Sequence, residues 1–256
     1  MTDIAQLRAS LAKAGPLEKH PRLPLGHGEA DGCLNGGLAR GALHEVFAAP
    51  GHEAAATGFA TALGALLCSG KYLLWIRQDF SAGEQGDLAA TGFFEFGFDP
   101  SRLLLLRAPD VAGALRAASY GLGCAALGAV VLELNGNPKL LDLVALRRLA
   151  LGAAESGVGA VLLRFGAVPD AGPAETRWLV RAASSLEEEN WGKPIFDAAL
   201  VRNRHGAGGH WVLEWSCDDG LFKEQAADRG AMVPPLSHRP VAAALEGPSA
   251  GLRAVA

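Results

Sequence analysis

The chain has 256 residues, 50% of them hydrophobic and 20% charged, which supplies ample apolar material for one large core and excludes a disordered chain. Lys and Arg number 23 against 27 Asp and Glu, a formal charge of −4, so a basic domain built to coat nucleic acid is disfavoured, because counterion release needs clustered positive charge. The four cysteines, Cys33, Cys68, Cys124 and Cys217, form no C-x-x-C pair; they indicate neither zinc nor a disulfide framework, and their small or apolar neighbours predict buried thiols in a reducing compartment.

Residues 3–14 carry Ile4, Leu7 and Leu11 at helical spacing and end at Gly15-Pro16, which predicts a short amphipathic helix. No continuous apolar stretch opens the chain as a secretory signal would. Pro16, Pro21 and Pro24 follow, so residues 1–24 read as a helical arm and linker. The apolar stripe of the arm suits packing in a neighbour's groove as well as on its own domain. Between residues 25 and 41 six glycines favour tight turns over a regular element.

From residue 42 two kinds of segment alternate. Strand-type runs fall at 42–48, 72–77, 102–106, 129–134, 159–165 and 195–202; Ala- and Leu-rich stretches fit for helices fall at 54–68, 87–96, 111–122, 140–156 and 175–188. Strand and helix in such succession predict an α/β fold, a mostly parallel sheet with helices on both faces. Val130-Val131-Leu132 and Val161-Leu162-Leu163 barely alternate in polarity, as central strands covered on both sides do not. Residues 199–203 and 210–215 flank a glycine-rich connection and predict an antiparallel hairpin at one edge. The core is expected over residues 25–217. Residues 218–256, broken by four prolines, read as a weakly ordered tail. No apolar run approaches the ~20 residues of a membrane span, and a cytoplasmic location is expected.

In such sheets a ligand binds at the carboxyl ends of the strands, beside the loop from an early strand into its helix. Here that loop, residues 49–57, reads Ala-Pro-Gly-His-Glu-Ala-Ala-Ala-Thr. A phosphate cradle needs glycines to wrap the oxygens, a lysine for the terminal phosphates and a hydroxyl for magnesium, and this loop supplies almost none of them.

The approach to that loop, Asp31-Gly32-Cys33-Leu34-Asn35-Gly36-Gly37-Leu38-Ala39-Arg40-Gly41-Ala42-Leu43-His44-Glu45-Val46-Phe47, resembles that of RecA-like proteins. Continued without gaps, the resemblance lays the first glycine of the RecA phosphate loop on Ala49 and its proline on Pro50. The second glycine then falls on Ala54, the lysine on Ala55 and the metal-binding threonine on Ala56, with Thr57 after it. Ala129-Val130-Val131-Leu132-Glu133 is similar to the strand that ends in a magnesium-orienting acid, with Glu133 in that place. The run from Tyr72 to Asp79 resembles the strand of the catalytic glutamate, Asp79 falling near it beside an atypical Arg77-Gln78. Val201-Arg202-Asn203-Arg204-His205-Gly206 is similar to the closing hairpin of RecA-related ATPases, where such cations clamp an anion.

Over residues 25–215 the combination of a retained approach, a lost phosphate loop and a tail resembles the ImuA family of damage-inducible proteins. That resemblance implies a non-catalytic RecA-like interaction scaffold for error-prone translesion synthesis in the SOS response to DNA damage, without a cofactor or metal. The implied partners are an ImuB-type Y-family-like protein, through it an error-prone DNA polymerase III alpha-type subunit, and RecA itself as a further candidate. Two alternatives stay open: a divergent RecA-like ATPase working through Glu133, and a binding module like the cell-division inhibitors. The connections 135–139 and 166–175, which match the DNA-holding loops of RecA proteins, are short and poor in basic residues, so weak or no intrinsic nucleic-acid binding is expected. Partner contacts are expected at Ile4, Leu7 and Leu11, at Trp191 in a loop before Lys193-Pro194, and at Phe222 and Leu236 of the tail. Trp178, Trp211 and Trp215 are expected to be core or edge packing.

Overall fold

The computed structural model describes residues 20–184 and 193–224. In chain order these form β1 (Arg22–Leu23), α1 (Gly28–Cys33), β2 (Leu38–Ala39), β3 (Leu43–Ala48), α2 (Glu53–Cys68), β4 (Tyr72–Gln78), α3 (Asp79–Gln85) and α4 (Ala90–Glu95). There follow β5 (Leu103–Ala108), α5 (Val111–Leu122), β6 (Leu127–Asn135), α6 (Leu143–Ser156), β7 (Gly159–Phe165), β8 (Thr176–Ala182), β9 (Ile195–Asn203), β10 (Gly209–Ser216) and β11 (Leu221–Glu224). Ile4, Leu7, Leu11, Trp191 and Leu236 lie outside the described residues.

Among the described residues nine strands form one sheet in the order β11-β10-β9-β8-β3-β7-β6-β4-β5. From β8 to β5 neighbours run parallel, while β8 to β11 pair antiparallel. This is the α/β architecture expected from the sequence, a mostly parallel sheet with helices on both faces and the antiparallel hairpin β9–β10 near one edge. Helix α2 covers one face, packing Phe59, Leu63 and Leu67 against Val131, Val161 and Trp178. Helices α5 and α6 cover the other over Ile76, Leu132 and Leu162. Strands so enclosed need no polar face, which is why β6 and β7 are buried almost throughout.

The helix ends follow from local chemistry. Asp110 and Asp142 cap α5 and α6 by accepting from Gly113 N–H at 2.6 Å and Ala145 N–H at 2.8 Å, each occupying one orphan donor of a first turn. Gly157, at φ +78°, closes α6 in the left-handed conformation that glycine adopts without strain.

Five expectations are corrected. Residues 175–188, rich in helix formers, do not open a helix: 176–182 are strand β8, inserted between β3 and β9. Trp178 and Val180 face the α2 core while Arg177 faces away, and this pairing overrides helical propensity. The glycine-rich stretch holds a regular element, α1, because the Asp31 carboxylate accepts from Leu25 and Gly26 N–H at 2.6 and 3.0 Å and closes the preceding turn. The helix expected at 87–96 is shorter, Ala90–Glu95, and α3 precedes it. The tail does not begin at 218: β11 pairs with β10, and Phe222 is fully buried among Phe59, Phe196 and Trp215. Of the thiols only Cys68 is buried, and burial pushes it up to about 12; Cys33 and Cys217 are half-buried and Cys124 is exposed. Among the described residues no helix is long and apolar enough to cross a membrane.

Candidate functional site

The turn from β3 into α2 stands at the carboxyl end of the central strand. It spans four residues, 49–52, and is tied inward on all sides. Ala49 N–H donates to Val180 O at 3.0 Å, His52 N–H to Ala49 O at 2.9 Å, and Ala182 N–H to His52 Nδ1 at 3.1 Å. Gly51 N–H points to the carboxylate of Glu53, 3.4 Å away. Helix N-termini attract anions because their first amides are unpaired and their dipole is positive there. In this chain the anion is its own glutamate. Ala54 and Ala55 present methyl groups to the space beyond, Ala56 is fully buried, and Pro50 is exposed. The Thr57 hydroxyl donates back to Glu53 O at 2.9 Å, so it is spent inside the helix.

Glu133 lies near the end of β6 on the α2 face. Its Oε2 accepts from Trp75 Nε1 at 3.0 Å, and its Oε1 accepts from Arg77 Nε at 3.2 Å with Nη2 at 3.0 Å. Arg77 also donates through Nη1 to Gly86 O at 2.8 Å. Glu133 is 1% exposed and Arg77 2%. Burial pushes the Glu133 carboxyl above its usual range, opposed by the Trp75 hydrogen bond and by the charge of Arg77. Both oxygens of this acid are therefore engaged by the protein. Asp79, expected near a catalytic position, is instead the exposed first residue of α3, and Arg77 takes the inward direction.

Between these two features opens a cavity of about 1150 Å³. Its walls are Ala54, Ala55 and Gly58 of α2, Leu88 and Ala89 before α4, Phe93 and Phe96, Phe165 of β7, and Ile195 and Phe196 of β9. Glu53, Asp87 and Glu133 contribute carboxylates, and among the described lining residues Arg77 alone contributes a cation. Gly58 permits this wall: a Cβ there would stand 2.9 Å from the Phe96 ring. A triphosphate in this space would meet apolar carbon and negative charge, and the one guanidinium is already neutralised. Among the described lining residues no lysine or unpaired guanidinium stands ready for a triphosphate.

Elsewhere Trp178 and Trp215 are core residues and Trp211 is half-buried, as expected. Phe222, expected to meet a partner, is instead a core residue because β11 carries it under the sheet edge. Of the hairpin cations, His205 makes an internal tie: its Nε2 lies 2.9 Å from Glu175 Oε1, which also contacts Arg22 Nη2 at 3.2 Å. Beside the two connections expected to be poor in cations, the buried Arg164 donates to Gly136 O and Asn137 Oδ1, both at 2.7 Å. The sequence missed the Arg77–Glu133 pair and the phenylalanine walls. The unusual Arg77-Gln78 at the end of β4 was the available signal for the first.

Neither the protein-family models nor the curated proteins compared with this chain match it.

Proposed function

We propose that this protein is a non-catalytic scaffold, a RecA-like core that binds protein partners and neither holds nor hydrolyses ATP. The observation that carries the reading is the occupation of the phosphate position from within: Glu53 lies against Gly51 N–H, and alanine stands at Ala54, Ala55 and Ala56. Clustered negative charge is bound by amides and cations aimed at it, and here a carboxylate and methyl groups take their place. The locked Glu133 argues against the ATPase alternative, since an acid buried against Trp75 and neutralised by Arg77 is a poor partner for a metal-bound water.

By resemblance to the ImuA family, the scaffold serves damage-induced, error-prone translesion synthesis with an ImuB-type partner, and through it an error-prone polymerase subunit, in the cytoplasm. The burial of Arg164 and its use in tethering residues 136 and 137 support weak or absent intrinsic DNA binding.

Equilibrium titration of the full chain with a fluorescent ATP analogue and magnesium tests the first part, with no saturable binding expected in the micromolar range. Saturable binding, or turnover abolished in Glu133→Gln, replaces the scaffold with an enzyme. Co-purification with an ImuB-type protein, read by size-exclusion chromatography, tests the second part; a stable complex with division proteins instead would move the scaffold to another pathway.

A further inference from the structure

The groove left at the nucleotide position is not merely empty of phosphate chemistry; its walls have a character of their own. Small-ligand sites are enclosed and carry a few convergent polar groups. This one is wide, about 1150 Å³, and Phe80 of α3, which lines it, is 50% exposed, so apolar surface reaches its mouth. An exposed aromatic at the edge of a wide apolar cavity marks a surface that another polypeptide covers.

Charge specifies that polypeptide further. The floor pair Arg77–Glu133 is closed on itself. At the rim Asp87 pairs with Arg107, an exposed contact of small energetic weight. Among the described residues Glu53, half-buried beside Ala54, has only the long contact from Gly51 N–H. Among the described lining residues this leaves Glu53 as the carboxylate without a cationic partner, and at that point the mouth favours a cation.

From these features we infer that the emptied nucleotide groove is a docking site for a segment of a partner protein. That segment inserts a large aromatic or aliphatic side chain between Ala54, Phe93 and Phe196 and sets an adjoining lysine or arginine against Glu53. The inference rests on the scaffold reading and names the surface through which the scaffold works. Wall residues supply apolar contact, and Glu53 selects against acidic segments, since an unpaired carboxylate at the rim repels them.

The test uses the full chain as bait for a phage-displayed library of random dodecapeptides, followed by solution titration of a synthetic peptide from the enriched set. Enriched peptides are expected to pair an aromatic or long aliphatic residue with a neighbouring Lys or Arg. Their affinity is expected to fall about tenfold or more in Ala54→Trp, which fills the groove from an exposed position, and to fall in Glu53→Lys. Phe80→Ala trims an exposed ring without touching the core and is expected to weaken the same peptides, so the proposal remains testable if Ala54→Trp fails to fold by circular dichroism. No enrichment, enrichment of acidic peptides, or affinity unchanged in Ala54→Trp and Phe80→Ala overturns the inference. A fluorescent nucleotide titrated in parallel separates the two levels: absence of both peptide and nucleotide binding removes the docking site alone, whereas nucleotide that displaces peptide removes the scaffold reading as well.

Discussion

Each face of the sheet buries a glutamate beside arginine, and the two faces balance the charge differently. On the α2 face Glu133 meets one guanidinium and one indole, all within 3.2 Å, and the charges cancel. On the α5–α6 face Glu45 accepts from Arg177 Nε at 2.6 Å, with Nη2 also at 2.6 Å, and Arg164 adds a second cation. Both guanidiniums lie over the Phe47 ring, at 5.5 and 5.9 Å from its centroid. Burial pushes Arg164 below the usual arginine range; Glu45 opposes the shift and Arg177 adds to it. The cationic surplus of the sheet is thus kept on the α5–α6 face, away from the groove, while the floor of the groove carries the neutral pair Arg77–Glu133. A mostly parallel sheet covered on both faces still buries charge, and the location of the surplus decides what the open end can attract.

The comparison is most exposed to failure at Arg77. Arg77→Leu leaves Glu133 buried without its cation and is expected to cost about 3–5 kcal/mol in urea unfolding. The double variant Arg77→Leu/Glu133→Leu should recover most of this, because apolar side chains of similar size suit the same space. A loss below about 1 kcal/mol in the single variant would mean that water reaches Glu133 and that the pair is not closed.

The next effect is carried by pH, at the residue preceding Glu45. His44 is turned to the opposite face, between Thr176 Oγ1 at 2.8 Å and Ala39 O at 2.9 Å, and burial pushes it down to about 4. The unfolded chain binds the proton near 6.5 and the folded chain only near 4, so stability falls as pH drops through that window. The loss should approach about 3 kcal/mol at the acid end. Urea midpoints between pH 7 and pH 4 should show this slope in the native chain and a flatter one in His44→Asn.

A smaller change is expected at the second pair. Arg177→Met removes the direct partner of Glu45 but leaves Arg164 nearby, so its cost should be about 1–3 kcal/mol, below that of Arg77→Leu. Equal losses would erase the distinction between the two faces. Smallest is Glu53→Gln, which removes a favourable charge from the start of α2 and should cost about 0.3–1 kcal/mol, measured by the shift in melting temperature.

Much of the sheet was legible because β6 and β7 announce themselves as short, unbroken apolar runs, and α5 and α2 as Ala- and Leu-rich stretches of helical length. The lack of a lysine in the turn after β3 was legible as well, since it depends only on which side chains stand at Ala54 and Ala55. Strand β8 was not, because Ala, Leu, Arg and Glu at 175–188 favour helix locally and only the vacancy between β3 and β9 makes an extended strand the better solution. Phe222 was misplaced for a related reason: an isolated aromatic among charged neighbours reads as exposed until a sheet edge is present to receive it. The groove was invisible to pattern altogether. Its walls come from residues as distant as Ala54, Phe93, Phe165 and Phe196, and spacing carries no information on such convergence.

The order of amino acids alone settled the α/β class, the paths of most strands and the absence of a phosphate-binding lysine, because these follow from local periodicity and from the chemistry of single side chains. Only the tertiary structure decided that Glu133 would be neutralised by Arg77, that Glu53 would cover the amide of Gly51, and that phenylalanines from separate elements would wall one acidic-mouthed groove. Those outcomes depend on distances between groups far apart in the chain, and such distances exist only once the sheet has formed.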